Sequence, residues 1–382
     1  MQISQLCRRL RLTHRSPTPS ACASTILNRQ MSSPTSRKVS IPHTVRTAAE
    51  PRQNRLFPVR LSHIEQANPT VRLLQLTIPP SVQDPGSQDQ VDELQEPLTG
   101  QPEPFTFFPG QWLDVHIPSV SNAGGFSITS TPADAQVFPS LEPSDELAPA
   151  DEAVAPPLDP RGRGPYVELA VQKAPSNPAS AWLWRPKEEI LRKELSIRVG
   201  GSFVWPPSGV KLEEIRNVVF VAGGVGINPI ISMLSHLNNN DECIHHHHPS
   251  LNIHVLYSSK LPDAGASESA LDQILFLPRL REIVRSQSQF HRLRITLDLF
   301  LSNLQDQSSP LLVQPPKDLA THARRINQDD LRKTVSGTDT KFSPDETVCY
   351  VCGPPQMTDE VVSTVTDLLD GQKDRVFFEK WW

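Results

Sequence analysis

Residues 218–237 read VVFVAGGVGINPIISMLSHL, and this stretch decides the fold. Residues 218–221 are four apolar β-formers in a row with no polar alternation, the pattern of a parallel strand buried on both faces. Gly223, Gly224 and Gly226 follow at once, then Ile227, Asn228 and Pro229, then a helical pattern over 230–237. Glycine lets a backbone turn tightly at a strand's end. Proline suits a helix's first turn, where its missing N–H would have no partner. A helix that starts there offers N–H groups and a positive dipole end, which suit a pyrophosphate. The spacing Gly224-x-Gly226-x-x-Pro229 lacks the third glycine of the common dinucleotide fingerprint, so the turn is a variant of it. A glycine pair alone marks any tight strand–helix turn. Its place behind an apolar strand is what points to NAD or NADP.

Downstream, strands and helices alternate. Apolar strands are expected at 253–257, 292–299, 348–351 and 376–378, and helices at 271–285 and 357–369. Strands alternating with helices make a parallel α/β sheet, here assigned to residues 211–382. Residues 302–346 are polar and hold one short helix near 327–334. The histidine run 245–248 lies beside three asparagines and reads as a surface loop. Cys349 and Cys352 form a C-x-x-C, but residues three apart on a strand point to opposite faces, so these thiols diverge. After the second strand come Ser258 and Lys260, where an adenosine ribose would be read. Hydroxyls and a lysine suit a 2′-phosphate, while no acid stands ready for a free 2′-hydroxyl, and both NAD and NADP stay open. The chain ends in Trp381 and Trp382, costly to leave in water, which dock on a flat partner: the preceding domain or an aromatic cofactor.

Upstream the pattern changes to short strands split by Gly/Pro turns, at 58–64, 71–78, 111–117, 166–172 and 195–199. In 111–117, Leu113, Val115 and Ile117 share one face and Trp112, Asp114 and His116 the other. One helix, 179–192, is broken near Pro186. This is a small antiparallel barrel or sandwich, assigned to residues 53–210. Two stretches inside it, 79–104 and 132–165, carry six and eight prolines with six and seven acids, and show no period. They cannot bury enough surface to offset their ordering entropy and read as disordered insertions.

The composition narrows the function. The chain has 382 residues, 38 prolines and a net charge of −5. So even a balance argues against a nucleic-acid binder. Five cysteines exclude a disulfide scaffold. The longest apolar stretch, 218–234, is interrupted by three glycines, Asn228 and Pro229, so no transmembrane segment is expected. Charge is unevenly spread. Eight of the 37 bases lie in residues 1–49, which contain no acid, so 29 bases face all 42 acids in the remainder. An arginine- and serine-rich, acid-free start is the composition of a mitochondrial transit peptide. Residues 1–52 are therefore set aside as a leader, and a mitochondrial matrix location is expected.

Together these residues resemble a family. Gly223-Gly224-Val225-Gly226-Ile227-Asn228-Pro229 and Cys352-Gly353-Pro354-Pro355-Gln356-Met357 are similar to the GGxGxxP and CGPxxM motifs of ferredoxin–NADP reductase-like flavoproteins. Phe126-Ser127-Ile128-Thr129-Ser130 resembles the flavin motif R-x-Y-S-x-x-S, and Asn177 to Leu183, with Ser180 central, the second flavin motif G-x-x-S-x-x-L. Pro109-Gly110-Gln111 resembles the family's P-G-Q turn. Residues 124–127 and the Phe-Glu-Lys-Trp-Trp ending are similar to a mitochondrial branch, the oxidoreductase NAD-binding domain-containing proteins.

The resemblance implies an N-terminal FAD-binding-type antiparallel β-barrel followed by a parallel α/β NAD(P)-binding domain. It implies an NAD(P)H-dependent flavin oxidoreductase that passes electrons through FAD to an external acceptor. NAD(P) would lie across Gly223–Pro229, Ser258, Lys260 and Cys352, Gly353, Pro354 and Met357. The flavin would meet Phe126–Ser130, Ser180, Trp381 and Trp382. Ser127, Cys352 and Glu379 would line the reacting centre. The departures fall on the flavin half. Gly124 stands where the family's arginine grips the flavin phosphates, Phe126 replaces a tyrosine, and Asn177 replaces a glycine. An arginine restored at 124 is expected to tighten flavin binding. The alternative from another class is a flavin-free NAD(P)-binding sensor or interaction protein.

Overall fold

In a computed structural model of the chain, the described residues are 41–79, 104–136, 164–239, 251–261, 268–290, 293–337 and 341–380. Residues 1–40, most of both acidic insertions, the histidine run and the expected flavin ligands Trp381 and Trp382 lie outside them.

The first sheet holds β1 (Phe57–Asn68), β2 (Val71–Thr77), β3 (Trp112–His116), β4 (Gly124–Ser127), β5 (Tyr166–Gln172) and β6 (Glu194–Gly200). It is antiparallel throughout, in the order β4-β3-β6-β1-β2-β5. Its two edges meet. Ile128, just past β4, bridges Leu169 of β5, and the Thr129 N–H donates to the Glu168 carbonyl at 2.8 Å. Closure removes unpaired edges and makes the expected barrel. Leu113, Val115, Leu169, Ile197 and Val199 point inward into one apolar cluster. Helices α1 (His43–Arg46) and α2 (Pro178–Leu183) pack near β4.

Two expected boundaries move. Trp112 and Asp114, read as the outer face of β3, are 1 % and 0 % exposed. Residues 41–53 cover them, although the leader was set to end at 52. The His43 ring lies on Gly125, where an added Cβ would fall 2.1 Å from it. Arg52 bridges Gly200, Gln53 N–H donates to the Val199 carbonyl, and Gly201 N–H donates to that of Pro51. The strap is polar and aperiodic, so its packing against a tryptophan left no pattern to read. At the second acidic stretch, Pro132–Ala135 forms a 3₁₀ turn closed by a Thr131–Asp134 capping box.

The second sheet holds β7 (Asn217–Gly223), β8 (Leu251–Ser259), β9 (Leu293–Leu301), β10 (Ala320–His322), β11 (Thr347–Gly353) and β12 (Val376–Lys380). It is parallel, in the order β10-β9-β8-β7-β11-β12. Its longer helices are α3 (Ile227–Asn239), α4 (Leu277–Phe290), α5 (Gln328–Ser336) and α6 (Pro355–Leu368). All seven residues of β7 and of β11 are buried, as the apolar runs required of central strands. Cys349 packs in the core on one face with Val351, and Cys352 on the other with Tyr350, so the two thiols diverge. The polar stretch 302–346 does more than expected. Besides α5, capped by Asn327, it adds β10, a three-residue strand too short to show a period.

Neighbours of β7 are β8 on one side and β11 on the other. The strand order reverses there, which opens a crevice beyond the carboxyl ends of both strands. The barrel closes against that crevice. Val71 and Ala170 belong to the same apolar cluster as Ile227 and Ile230. Ser232 Oγ donates to the Ser130 carbonyl at 2.6 Å, Tyr350 OH to that of Val204 at 2.9 Å, and Arg279 pairs with Glu168 at 3.1 Å.

Candidate functional site

The two motifs at the crevice interlock. A Cβ on Gly226 would lie 2.1 Å from the Cys352 carbonyl oxygen, and one on Gly223 2.6 Å from Met357 Sδ. These glycines are fixed by the approach of β11 and α6 to the turn, not by a ligand. Gly224 differs. Its φ is +55°, and an added Cβ would meet nothing within 4 Å. Positive φ is the region that favours glycine, and the open side of Gly224 faces a cavity of about 480 Å³.

That cavity is lined by Gly223, Gly224, Val225, Ser258, Lys260, Pro354 and Met357 from the second sheet, and by Thr70 and Gln172 from the barrel. Among the described residues, Lys260 supplies the one charged side chain of the lining. A second cavity of about 380 Å³ shares Ser258, Ser302, Pro354 and Met357 with the first and carries Arg325 and Glu360 with Asn327, Gln328 and Gln356. Two lobes that share Ser258, Ser302, Pro354 and Met357, the larger of them holding the glycine turn and Lys260, fit a dinucleotide with its diphosphate at the turn. The residues present therefore fit NAD(P). Six expected ligands, Gly226, Ile227, Asn228, Pro229, Cys352 and Gly353, line neither cavity. Ile227 is fully buried in the apolar core, and Pro229 is buried within α3, which begins at Ile227 rather than 230. Asn228 Nδ2 donates to the Ala170 carbonyl at 3.0 Å, so it ties the barrel to the second sheet.

Around the expected reacting centre, the structure separates the three residues by role. Cys352 is fully buried beside Tyr350 in the core and lines neither cavity, so its thiol is not presented to a ligand. Its β12 partner in the parallel register is Glu379. Glu379 is half-buried, but Oε2 is enclosed and has no hydrogen-bond partner. Burial, and after it the charge of Glu50, pushes its carboxyl up to about 8. Glu50 is held by the Ser202 N–H and hydroxyl at 3.1 and 2.7 Å. In the barrel register Ser127 lies opposite Trp112, and Trp112 opposite Gly200, so Ser127 ends its strand on the Ser202 side. Its hydroxyl is buried without a partner. Ser127 Oγ and Glu379 Oε2 are thus both enclosed without a partner, and buried polar groups rarely stay so without a reason. Glu50 was missed in the sequence. It is the first acid after 49 residues without one, and that position was the available signal.

At the expected phosphate end the groups are already occupied. Asn177 Oδ1 accepts from the Ala179 and Ser180 N–H groups at 3.1 and 3.2 Å. Ser180 Oγ donates to the Gln172 carbonyl and accepts from Ala174 N–H. Thr129 Oγ1 donates to Glu168 Oε1, and Ser130 Oγ accepts from Glu168 N–H. Phe126 and Ile128 pack into the barrel core. A Cβ on Gly124 would lie 2.5 Å from Ala179 Cβ and 2.6 Å from the Phe126 ring. No arginine fits there, which overturns the expectation for that substitution. At this end most donors that could meet a diphosphate are spent within the chain, and the Glu168 carboxylate stands among them.

Known proteins bear on this geometry. No protein-family profile matches the chain. Oxidoreductase NAD-binding domain-containing protein 1 of Xenopus laevis is 30 % identical over 369 residues, 95 % of this chain and 90 % of the relative. The Homo sapiens protein of that name is 31 % identical over 278 residues, 73 % of this chain and 72 % of its own. The reductase component of propane 2-monooxygenase from Rhodococcus jostii is 21 % identical over 286 residues, 74 % of this chain and 57 % of its own. Among solved structures, a ferredoxin–NADP⁺ reductase from Neisseria gonorrhoeae with bound FAD and NADP aligns with TM-score 0.52 at 13 % identity. It covers 86 % of this chain and 100 % of its own. The cytochrome b5 reductase domain of Ulva prolifera nitrate reductase aligns at 0.50 and 14 %, covering 85 % and 97 %. At such identities these structures show the fold alone: an antiparallel barrel followed by a parallel α/β sheet.

Proposed function

Because the chain belongs to the family of oxidoreductase NAD-binding domain-containing proteins, we propose that it takes a hydride from NAD(P)H and passes the electrons, through a flavin ring, to an acceptor outside the chain. The observation that carries this reading is the two-lobed cavity at Gly224, with Lys260 on its wall. Gly224 leaves room for a diphosphate against the turn, and Lys260 offers it a positive charge. The walls shared by the two sheets then hold the nicotinamide end toward the barrel. A bound flavin supplies hydride acceptance and onward electron transfer. The chain's own part is to orient the nicotinamide, exclude water and hold a proton on Glu379. Titration with NADH and NADPH tests the reading: binding must occur, and must compete with substitution at Gly224. The flavin-free sensor gains support only if NAD(P)H binds and no flavin does.

Glu379 gives a pH prediction. With its carboxyl raised to about 8, chiefly by burial, it holds its proton at pH 7 and loses it as pH rises through about 8. NAD(P)H oxidation with an artificial acceptor should fall along that limb. Glu379→Gln keeps a neutral group there and should flatten the limb. Glu50→Gln removes the second cause of the shift and should move the limb to lower pH. A limb unchanged in both variants assigns it to another group.

The acid-free leader supports mitochondrial import as part of the same proposal. Residues 1–40 fused to a soluble reporter are expected to carry it into mitochondria. Because residues 41–53 pack on the barrel, the fusion is taken to end at residue 40. A reporter that stays in the cytosol overturns the targeting claim.

A further inference from the structure

We propose that flavin is an exchangeable substrate of this protein rather than a resident cofactor, recognised by its ring and not by its phosphates. This rests on the oxidoreductase reading above and specifies what occupies the acceptor side of the same cleft.

The argument is one of donor supply. A flavin phosphate needs N–H groups, hydroxyls or cations that are free to meet it, since charge-assisted hydrogen bonds are what make such contacts strong. Here the N-terminus of α2 spends the Ala179 and Ser180 N–H groups on Asn177 Oδ1. Ser180 Oγ bridges Gln172 and Ala174. Thr129 Oγ1 and Ser130 Oγ both serve Glu168. The Glu168 carboxylate itself would repel a phosphate, and the nearby cation Arg279 is paired to it at 3.1 Å. Ala179 and Phe126 fill the space beside Gly124. Among the described residues named here, the Ala179 and Ser180 N–H groups and the Thr129 and Ser180 hydroxyls are spent within the chain, which leaves the Ser130 O–H as the donor still free for a phosphate. Elsewhere the supply is reversed: Ser127 Oγ, at the end of β4, and Glu379 Oε2, on β12, are each enclosed without a partner, and polar edge atoms of a flavin ring are the chemistry that would complete such groups.

The reaction balances without any further component. NAD(P)H loses a hydride and becomes NAD(P)⁺. The oxidised flavin gains that hydride and one proton, and leaves as the dihydroflavin carrying two electrons. Exchange of the flavin is then the step that delivers electrons to an outside acceptor.

The full-length protein is titrated with riboflavin, FMN and FAD by flavin fluorescence, at low and at raised salt. The three dissociation constants are expected to agree within about threefold. Salt should weaken FAD no more than riboflavin, because the charge nearest the phosphates is the repelling Glu168 carboxylate, which salt screens. Protein purified with FAD should lose it on gel filtration. Asn177→Gly frees the α2 N–H groups and, as a cap change to glycine, should leave the melting temperature nearly unchanged. It should shift preference several-fold toward FMN and FAD over riboflavin. FAD retained through gel filtration, or bound thirtyfold or more tighter than riboflavin, overturns the proposal and leaves the oxidoreductase reading standing. No binding of any of the three sinks the flavin step of that reading as well.

Discussion

Gly226→Ala is expected to abolish folding, whereas Gly224→Asp, two residues away, should fold normally and lose nucleotide binding. At Gly226 the new methyl would meet the Cys352 carbonyl oxygen at 2.1 Å, its carbon at 2.5 Å and the Gly353 nitrogen at 2.9 Å. All three are backbone atoms of a fully buried central strand, so nothing flexible can yield. Overpacking of this kind costs about 3 kcal/mol or more, a large share of the 5–15 kcal/mol that holds a typical domain. At Gly224 an added Cβ meets nothing within 4 Å, and aspartate bears the strain of positive φ better than most residues. Its carboxylate would enter the cavity beside Lys260 and face the nucleotide's diphosphate. NAD(P)H affinity should fall at least tenfold, about 1.4 kcal/mol, with the thermal midpoint little changed. The measurements are soluble yield and melting for the first variant and fluorescence titration for the second. A Gly226→Ala protein that folds and only binds weakly would show that the ligand, not β11, sets the spacing of the turn.

That pair also marks how far the sequence could be read. The glycines, the apolar runs of β7 and β11 and the order of the two sheets were legible, because burial on both faces leaves an unbroken apolar string. The reason for each glycine was not legible. Gly226 and Gly224 look alike in sequence, and only the approach of β11 distinguishes them. Asn228 was read as a ligand because it sits in the motif, yet its amide ties Ala170. Cys352 was read as lining the cleft, yet its side chain faces the core with Tyr350. At the flavin end the substitutions Gly124 and Asn177 were seen, but not that the chain had refilled the space with its own partners. Such compensation is a three-dimensional fact: Ala179 and Glu168 carry no mark of it in one dimension.

The N-terminal strap gives the second large effect, and it turns on one carboxylate. Asp114 is fully buried between the barrel and the strap. Arg198 reaches its Oδ2 at 2.8 Å from β6, Arg52 reaches the same oxygen at 3.0 Å, and His43 Nε2 lies 3.3 Å from Oδ1. Burial alone would raise this carboxyl; the contacts with His43, Arg198 and Arg52 outweigh it and hold it well below the ordinary range. Arg52 also binds the Thr47 and Glu50 carbonyls and stacks over Trp112 at 4.8 Å, so it fastens the strap at both ends. Arg52→Ala removes one of the two guanidinium partners of a buried charge while Arg198 keeps the other, a change that costs about 1.5–3 kcal/mol. Removing residues 1–52 should do the same and add the exposure of Trp112, while removing 1–40 should cost little. Asp114 also sets an acid limb. Its unfolded carboxyl titrates near 4, about 3.9, and its folded one well below. Its contribution is therefore present above about pH 4 and is lost as the pH falls toward the folded value. Asp114→Asn should be less stable at pH 7 but should lack that part of the acid loss. Denaturant melts of the wild type, Arg52→Ala, Asp114→Asn and the two truncations at pH 7 and pH 3 read all of this at once. Equal stability of the two truncations would show that the strap is an ornament on the barrel rather than its outer layer.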